Sequence, residues 1–89
     1  MQSVNLIELT SKESKMLNIV FLLTSQRAKK ISVVRDAIAK FGSRKAIWEA
    51  INNSMHELTE QAGRELEFSE VLQILLYDGK FNQAKNIFV

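Results

Sequence analysis

The chain has 89 residues with a net charge of +2, a length that gives one domain with a thin hydrophobic core. Hydrophobic residues make up 46% and charged residues 25% of it, which is too apolar for a disordered chain. Because the chain has no cysteine, a disulfide scaffold, a thiolate zinc site and a cysteine nucleophile are excluded.

The first predicted helix runs from Ser11 to about Ser25. Thr10 and Glu13 have the spacing of a capping box, in which two side chains satisfy backbone N–H groups of the first turn. The centre of this helix, from Met16 to Leu23, is apolar on nearly every face. We expect such a helix either to lie inside its own core or to be covered by another chain.

The second predicted helix carries apolar residues at the helical period. Ile31, Val34, Ile38 and Phe41 follow this spacing, with Ala37 on the same stripe, which predicts that they form the buried face. Gly42 supplies a left-handed stop, and the residue after it, a serine, is a candidate cap of the next helix.

The third predicted helix runs from Arg44 to about Ala62 and ends at Gly63. The segment Asn52–Ser54 in its middle is a weak point, because these side chains compete for the backbone hydrogen bonds, and the helix could break there. The apolar face comprises Ile47, Ala50, Ile51, Met55, Leu58 and Ala62, with Trp48 at its edge.

Two shorter helices are predicted at the end of the chain. The fourth follows Arg64, with Ser69 as a candidate N-cap, and closes at Asp78 and Gly79; the last begins near Lys80. Their apolar residues are Phe68, Val71, Leu72, Leu75, Leu76, Phe81, Ala84, Ile87 and Phe88. These elements predict an all-α fold, a compact bundle of four to five helices in a single domain of residues 1–89.

The charges are distributed unevenly along the chain. Residues 27–45 hold seven basic residues against Asp36 alone, whereas residues 46–70 hold six glutamates against Arg64 alone. Two interpretations stay open. The basic stretch is either a footprint for nucleic acid or an acidic partner, or one of two solvated faces that pair with each other.

The sequence offers little support for catalysis. A nucleophile triad needs a base next to a serine or cysteine, whereas His56, the only histidine, is predicted to lie on a helix surface beside Glu57 and Glu60. Glu57, Glu60, Glu67 and Glu70 recur at helical spacing, which indicates a solvated face rather than convergent metal ligands. No glycine-rich phosphate loop is present. We therefore expect no enzyme activity, no metal and no cofactor.

The segment Phe41–Ile51 resembles the opening of the helix-turn-helix in small Cro-type phage repressors, where a phenylalanine-glycine-serine step starts the first helix of the motif. Leu58 matches the apolar anchor of the recognition helix. Trp48 departs from the pattern, which has a small residue there, and Asn52-Asn53 departs from the usual glycine turn. The resemblance implies a DNA-binding regulator.

The segment 68–88 is similar to the centre of a tetratricopeptide repeat. Gly79, Phe81, Ala84 and Phe88 match its spacing, and Phe68 stands where the repeat has an early tryptophan. The likeness extends to the short tetratricopeptide-like co-chaperones of type III secretion needle subunits. It implies a helical hairpin that holds a helix of another protein.

We expect a non-enzymatic protein–protein interaction module, namely a small adaptor, co-chaperone or inhibitor that binds a partner helix or self-associates as a homodimer. The predicted partner-binding anchors are Phe21, Trp48, Tyr77, Phe81 and Phe88. In the alternative, a DNA-binding regulator, the phosphate contacts are Arg27, Lys29, Lys30, Arg35, Lys40, Arg44 and Lys45. No small-molecule substrate is expected. Because the densest apolar run is far shorter than the roughly 20 residues of a membrane span, we expect a cytoplasmic protein.

Overall fold

The computed structural model describes residues 8–78, which form a bundle of four helices. The helices are α1 (Ser11–Ala28), α2 (Val33–Phe41), α3 (Arg44–Ala62) and α4 (Phe68–Tyr77). No strand occurs in this range, so the all-α prediction is confirmed. The helix predicted from Lys80 lies outside the described residues.

The capping box at the start of α1 forms as predicted. The Glu13 backbone N–H donates to Thr10 Oγ1 at 3.1 Å, and the Thr10 backbone N–H donates to Glu13 Oε1 at 3.1 Å. The helix continues past Ser25 to Ala28, where Lys29 takes the left-handed conformation with φ of 56°. The Lys29 N–H donates to the Ser25 carbonyl, which closes the last turn.

The prediction for the buried stripe of α2 was partly wrong. The helix begins at Val33, so Ile31 precedes it and is completely exposed, and Val34 is 45% exposed. Of the predicted stripe, Ala37 is fully buried and Ile38 and Phe41 are half-buried against the core, whereas the other fully buried residue, Val33, was not predicted. Since neighbouring helix positions differ by about 100°, burial of position 33 turns position 34 towards solvent.

Helix α3 is continuous through the asparagine pair, so the predicted weak point does not break it. Asn52 Nδ2 donates to the Trp48 carbonyl at 2.8 Å, a bond along the helix that leaves the backbone ladder in place. The turn that the Cro-type resemblance places at Asn52-Asn53 is therefore absent from α3. The predicted Ser43 cap is confirmed, because the Ala46 N–H donates to Ser43 Oγ at 3.1 Å.

The N-cap of helix α4 lies two residues before the predicted one. Glu67 is the N-cap, and its backbone N–H donates to Glu70 Oε1 at 3.0 Å, whereas Ser69 is buried inside the first turn. Helices α1 and α3 both pack against α4, whose apolar face lies at the centre of the bundle. The core consists of Leu17, Val20, Phe21, Val33, Ala37, Ile47, Trp48, Ile51, Leu58, Leu66, Val71, Leu72 and Leu75.

Candidate interaction surface

Two of the predicted anchors, Phe21 and Trp48, lie in the core. They are only 5% and 8% exposed, so they are not on the surface that a partner would meet. Trp48 makes an edge-to-face contact with Phe68, with 5.3 Å between the ring centroids, which joins α3 to α4. Burial of a large aromatic side chain is strongly favourable because it removes a large apolar area from water.

Tyr77 is half-buried and is held by the bundle itself. Its hydroxyl donates to Asp36 Oδ2 at 2.5 Å, and Lys30 Nζ lies 5.5 Å from the centroid of its ring. Burial, followed by the hydrogen bond to the Asp36 carboxylate, raises the pKa of Tyr77 to about 12. The two remaining predicted anchors, Phe81 and Phe88, lie outside the described residues.

Three of the five large apolar side chains that are exposed within residues 8–78 lie on the outer face of α1. Ile19 and Leu22 are 56% and 58% exposed, Leu23 is 37% exposed, and Met16 beside them is half-buried. The spacing 16, 19, 22 and 23 places these four side chains on one side of the helix. We call Met16, Ile19, Leu22 and Leu23 the apolar patch.

A shallow groove of about 290 Å³ runs along one edge of the apolar patch. Its α1 side is formed by Met16, Ile19 and Leu23, and its far wall by Phe68 at the start of α4. The Glu67 carboxylate at its rim accepts a hydrogen bond from Arg27 Nη2 at 2.9 Å, which ties the end of α1 to the start of α4. The groove is therefore mostly apolar, and its one lining carboxylate is paired.

Several of the predicted nucleic-acid contacts instead bind neighbouring parts of the bundle. Arg44 donates to Asn18 Oδ1 at 2.9 Å and to the Ser14 carbonyl at 3.2 Å, and its guanidinium lies 5.6 Å from the Phe21 ring centroid. It therefore holds α3 against α1 rather than projecting into solvent.

Other basic residues also make contacts within the bundle. Lys40 donates to the Leu75 carbonyl at 2.5 Å, and Lys45 lies 3.7 Å from Glu49. Lys29 and Arg35 are exposed and make no ion pair or side-chain hydrogen bond within residues 8–78. Several residues of the basic stretch thus make contacts that hold the bundle together, in addition to any role in binding a ligand.

The acidic residues and the histidine form no convergent centre. His56 is exposed on α3, and its Nε2 lies 3.2 Å from Glu60 one turn away. Within residues 8–78, no group of three histidine, aspartate or glutamate side chains is placed to hold a metal ion. The same part of the chain contains no helix that is both long and apolar enough to cross a membrane.

One carboxylate near the groove has a strongly shifted pKa. Glu70 accepts a hydrogen bond from Arg64 Nη2 at 2.8 Å and another from the Glu67 backbone N–H, and these bonds lower its pKa to about 2. The pair fixes the segment between α3 and α4, which positions Phe68 at the groove wall.

No family model, curated protein or solved structure matches this chain. Side-chain placement alone indicates what the surface can do. An exposed row of branched apolar side chains beside a shallow apolar groove is suited to contact with another apolar surface. Sequence reasoning named aromatic anchors and missed Ile19 and Leu22, although the all-round apolar character of α1 was the signal for them.

Proposed function

We propose that this protein is a non-enzymatic interaction module that docks a helix of a partner protein on the apolar patch of α1. The observation that carries the proposal is the exposure of Ile19 and Leu22, each more than half in solvent, on a helix whose opposite face is already buried. A helix lying along α1 would cover these side chains and remove apolar area from water.

The burial pattern also supports this choice of surface. Of the five large apolar side chains that are exposed within residues 8–78, three lie together on α1, whereas Ile31 and Val34 lie just before and at the start of α2. The outer face of α3 carries Glu49, His56 and Glu57 instead, which is typical of a surface that stays in water. We therefore propose that the partner binds the outer face of α1 and that the outer face of α3 stays in solvent.

Site-specific photo-crosslinking in the native host tests this function. A photoreactive residue replaces Leu22 in one variant and Asn53, an exposed position of α3, in the matched control. We expect protein adducts from position 22 that are absent from position 53 and are lost when Ile19→Ser is added. Equal adducts at both positions, or none, would contradict a docking function for α1.

A gel-shift titration with random duplex DNA distinguishes the docking function from the alternative, DNA binding. A phosphate footprint on Lys29 and Arg35 would give binding at low salt that falls steeply as salt is added. Under our proposal, neither the parent protein nor the Arg35→Glu variant shifts the DNA. Salt-sensitive binding that Arg35→Glu weakens would favour the regulator.

A further inference from the structure

Two lysines border the N-terminal end of the apolar patch. Lys12 and Lys15 precede Ile19 by seven and four residues, which places both on the same outer face of α1. Both are exposed, and neither has an ion pair or side-chain hydrogen bond within the described range 8–78. The side chains of Lys12 and Lys15 are therefore available to a ligand or to solvent.

Two of the nearby acidic groups are already engaged, and a third, Glu8, lines a depression with Arg44 and Lys45 instead. Glu13 accepts the Thr10 N–H in the capping box, and Glu67 is bound by Arg27 at 2.9 Å. Neither carboxylate is placed to neutralise Lys12 or Lys15. A partner that covers the patch meets two exposed lysines without an intramolecular partner at its N-terminal end.

A second copy of the chain is a poor fit for this surface. Pairing α1 in parallel with α1 of another copy would set Lys12 and Lys15 against the same two lysines. Antiparallel pairing would set them beside Lys29 and the Arg27–Glu67 ion pair, whose carboxylate is already engaged. Like charges at close range oppose both arrangements. A head-to-tail contact with the acidic face of α3 would bury the patch against a face without an exposed large apolar side chain among residues 8–78.

The shape of the surface favours a helix over a lipid bilayer. The groove of about 290 Å³ between Ile19 and Phe68 is concave, so it accepts a ridge of side chains. A membrane-binding helix instead presents its apolar face as a protruding surface that enters the bilayer.

We propose that the occupant is an acidic amphipathic helix, whose apolar stripe covers Ile19 and Leu22 while its carboxylates face Lys12 and Lys15. This inference rests on the proposed docking function and adds the chemistry of the partner. The apolar contact supplies the affinity, and the lysines select acidic over basic helices.

Two fluorescent peptides with the same leucine stripe test the inference, one with glutamate and the other with lysine at the flanking positions. Fluorescence anisotropy with the full chain should show the acidic peptide binding about tenfold more tightly at low salt, with a smaller preference near 0.15 M salt. Lys15→Glu should reduce or reverse the preference, whereas Arg35→Glu, the same charge change on α2, should preserve it. Ile19→Ser should weaken both peptides.

The other results overturn the inference in distinguishable ways. Equal binding of both peptides that Ile19→Ser abolishes would leave the docking function standing and remove the acidic partner. Dimerisation in sedimentation that Ile19→Ser abolishes would identify a second copy as the occupant. Patch-dependent sedimentation with vesicles of phosphatidylserine and phosphatidylcholine would identify a lipid surface. If neither peptide binds, and the protein stays monomeric and does not sediment with vesicles, the docking function is overturned as well.

Discussion

Tyr77 and Asp36 join the end of α4 to the first turn of α2 through one hydrogen bond of 2.5 Å from the phenol to the carboxylate. The bond is partly shielded from water, and Lys30 contacts the same ring from the connection between α1 and α2. This contact secures the short helix α2, which buries only Val33 and Ala37 fully.

We predict that Tyr77→Phe lowers the free energy of unfolding by about 1 kcal/mol, the usual contribution of one partly buried hydrogen bond. Urea denaturation followed by circular dichroism measures the change. Asp36→Asn, which keeps an acceptor but removes the charge, should cost less. A Tyr77→Phe variant as stable as the parent would show that this bond does not hold α2 in place.

The same hydrogen bond makes a prediction for alkaline pH. Because the pKa of Tyr77 is about 12 in the folded chain and about 10 when unfolded, the bond contributes fully below pH 10. That contribution should be lost as the pH rises from about 10 to about 12. The chain has one tyrosine, so tyrosinate absorbance reports this group alone. Titration at the ordinary pKa in folded protein would contradict the assignment.

Much of the fold could be predicted from local signals. The capping box of Thr10 and Glu13 fixed the start of α1, and Gly63 marked the end of α3, where φ is 72°. These features depend on side chains a few residues apart, which sequence spacing reports directly. The N-cap of α4 was missed because glutamate at position 67 is an uncommon cap, whereas Ser69 is a common type that the core buries.

The interaction surface was harder to predict because exposure depends on how the helices pack. The centre of α1 has apolar residues on nearly every face, so its sequence alone did not show whether Phe21 or Leu22 faces solvent. Packing of α1 against the rest of the bundle buries Phe21 and leaves Leu22 outside. Likewise, Ile31 fits the helical period of α2 but lies two residues before the helix begins.

Glu70 should give the fold an acid-sensitive contact. Its pKa of about 2 lies below the ordinary 4.5, so its bonds to Arg64 and the Glu67 N–H stabilise the fold above pH 4.5. That stabilisation is lost as the pH falls from 4.5 towards 2. Glu70→Gln should lose up to about 1 kcal/mol at neutral pH and approach the parent in acid.

Denaturation of the Glu70→Gln variant and its parent at several pH values measures this difference. Glu57→Gln is a matched control, since Glu57 lies on the exposed face of α3 and only accepts a 3.4 Å bond from Gln61. A pH-independent difference between the Glu70→Gln variant and its parent would argue against an ionic contribution.

Ser69 has a buried hydroxyl that costs stability. Its Oγ is buried without a hydrogen-bond partner, and the residue is 1% exposed. Ser69→Ala should therefore raise the free energy of unfolding by about 1 kcal/mol, because it removes an unsatisfied polar atom. Thr24→Val should have the opposite effect, since Thr24 Oγ1 donates to the Val20 carbonyl at 2.7 Å and reaches the Ser69 carbonyl at 3.2 Å. Loss of stability in the Ser69→Ala variant would reveal a bond from that hydroxyl.

The central claim is that α1 presents its outer face for docking, and isoleucine methyl NMR with a soluble paramagnetic probe tests it most directly. In the free protein, the Ile19 methyl should be strongly broadened, whereas those of Ile47 and Ile51 should be protected. Addition of the acidic peptide should protect Ile19 and leave the fully exposed Ile31 unchanged. An Ile19 methyl that is as protected as Ile47 before any peptide is added, or that stays broadened at saturating peptide, would contradict the claim.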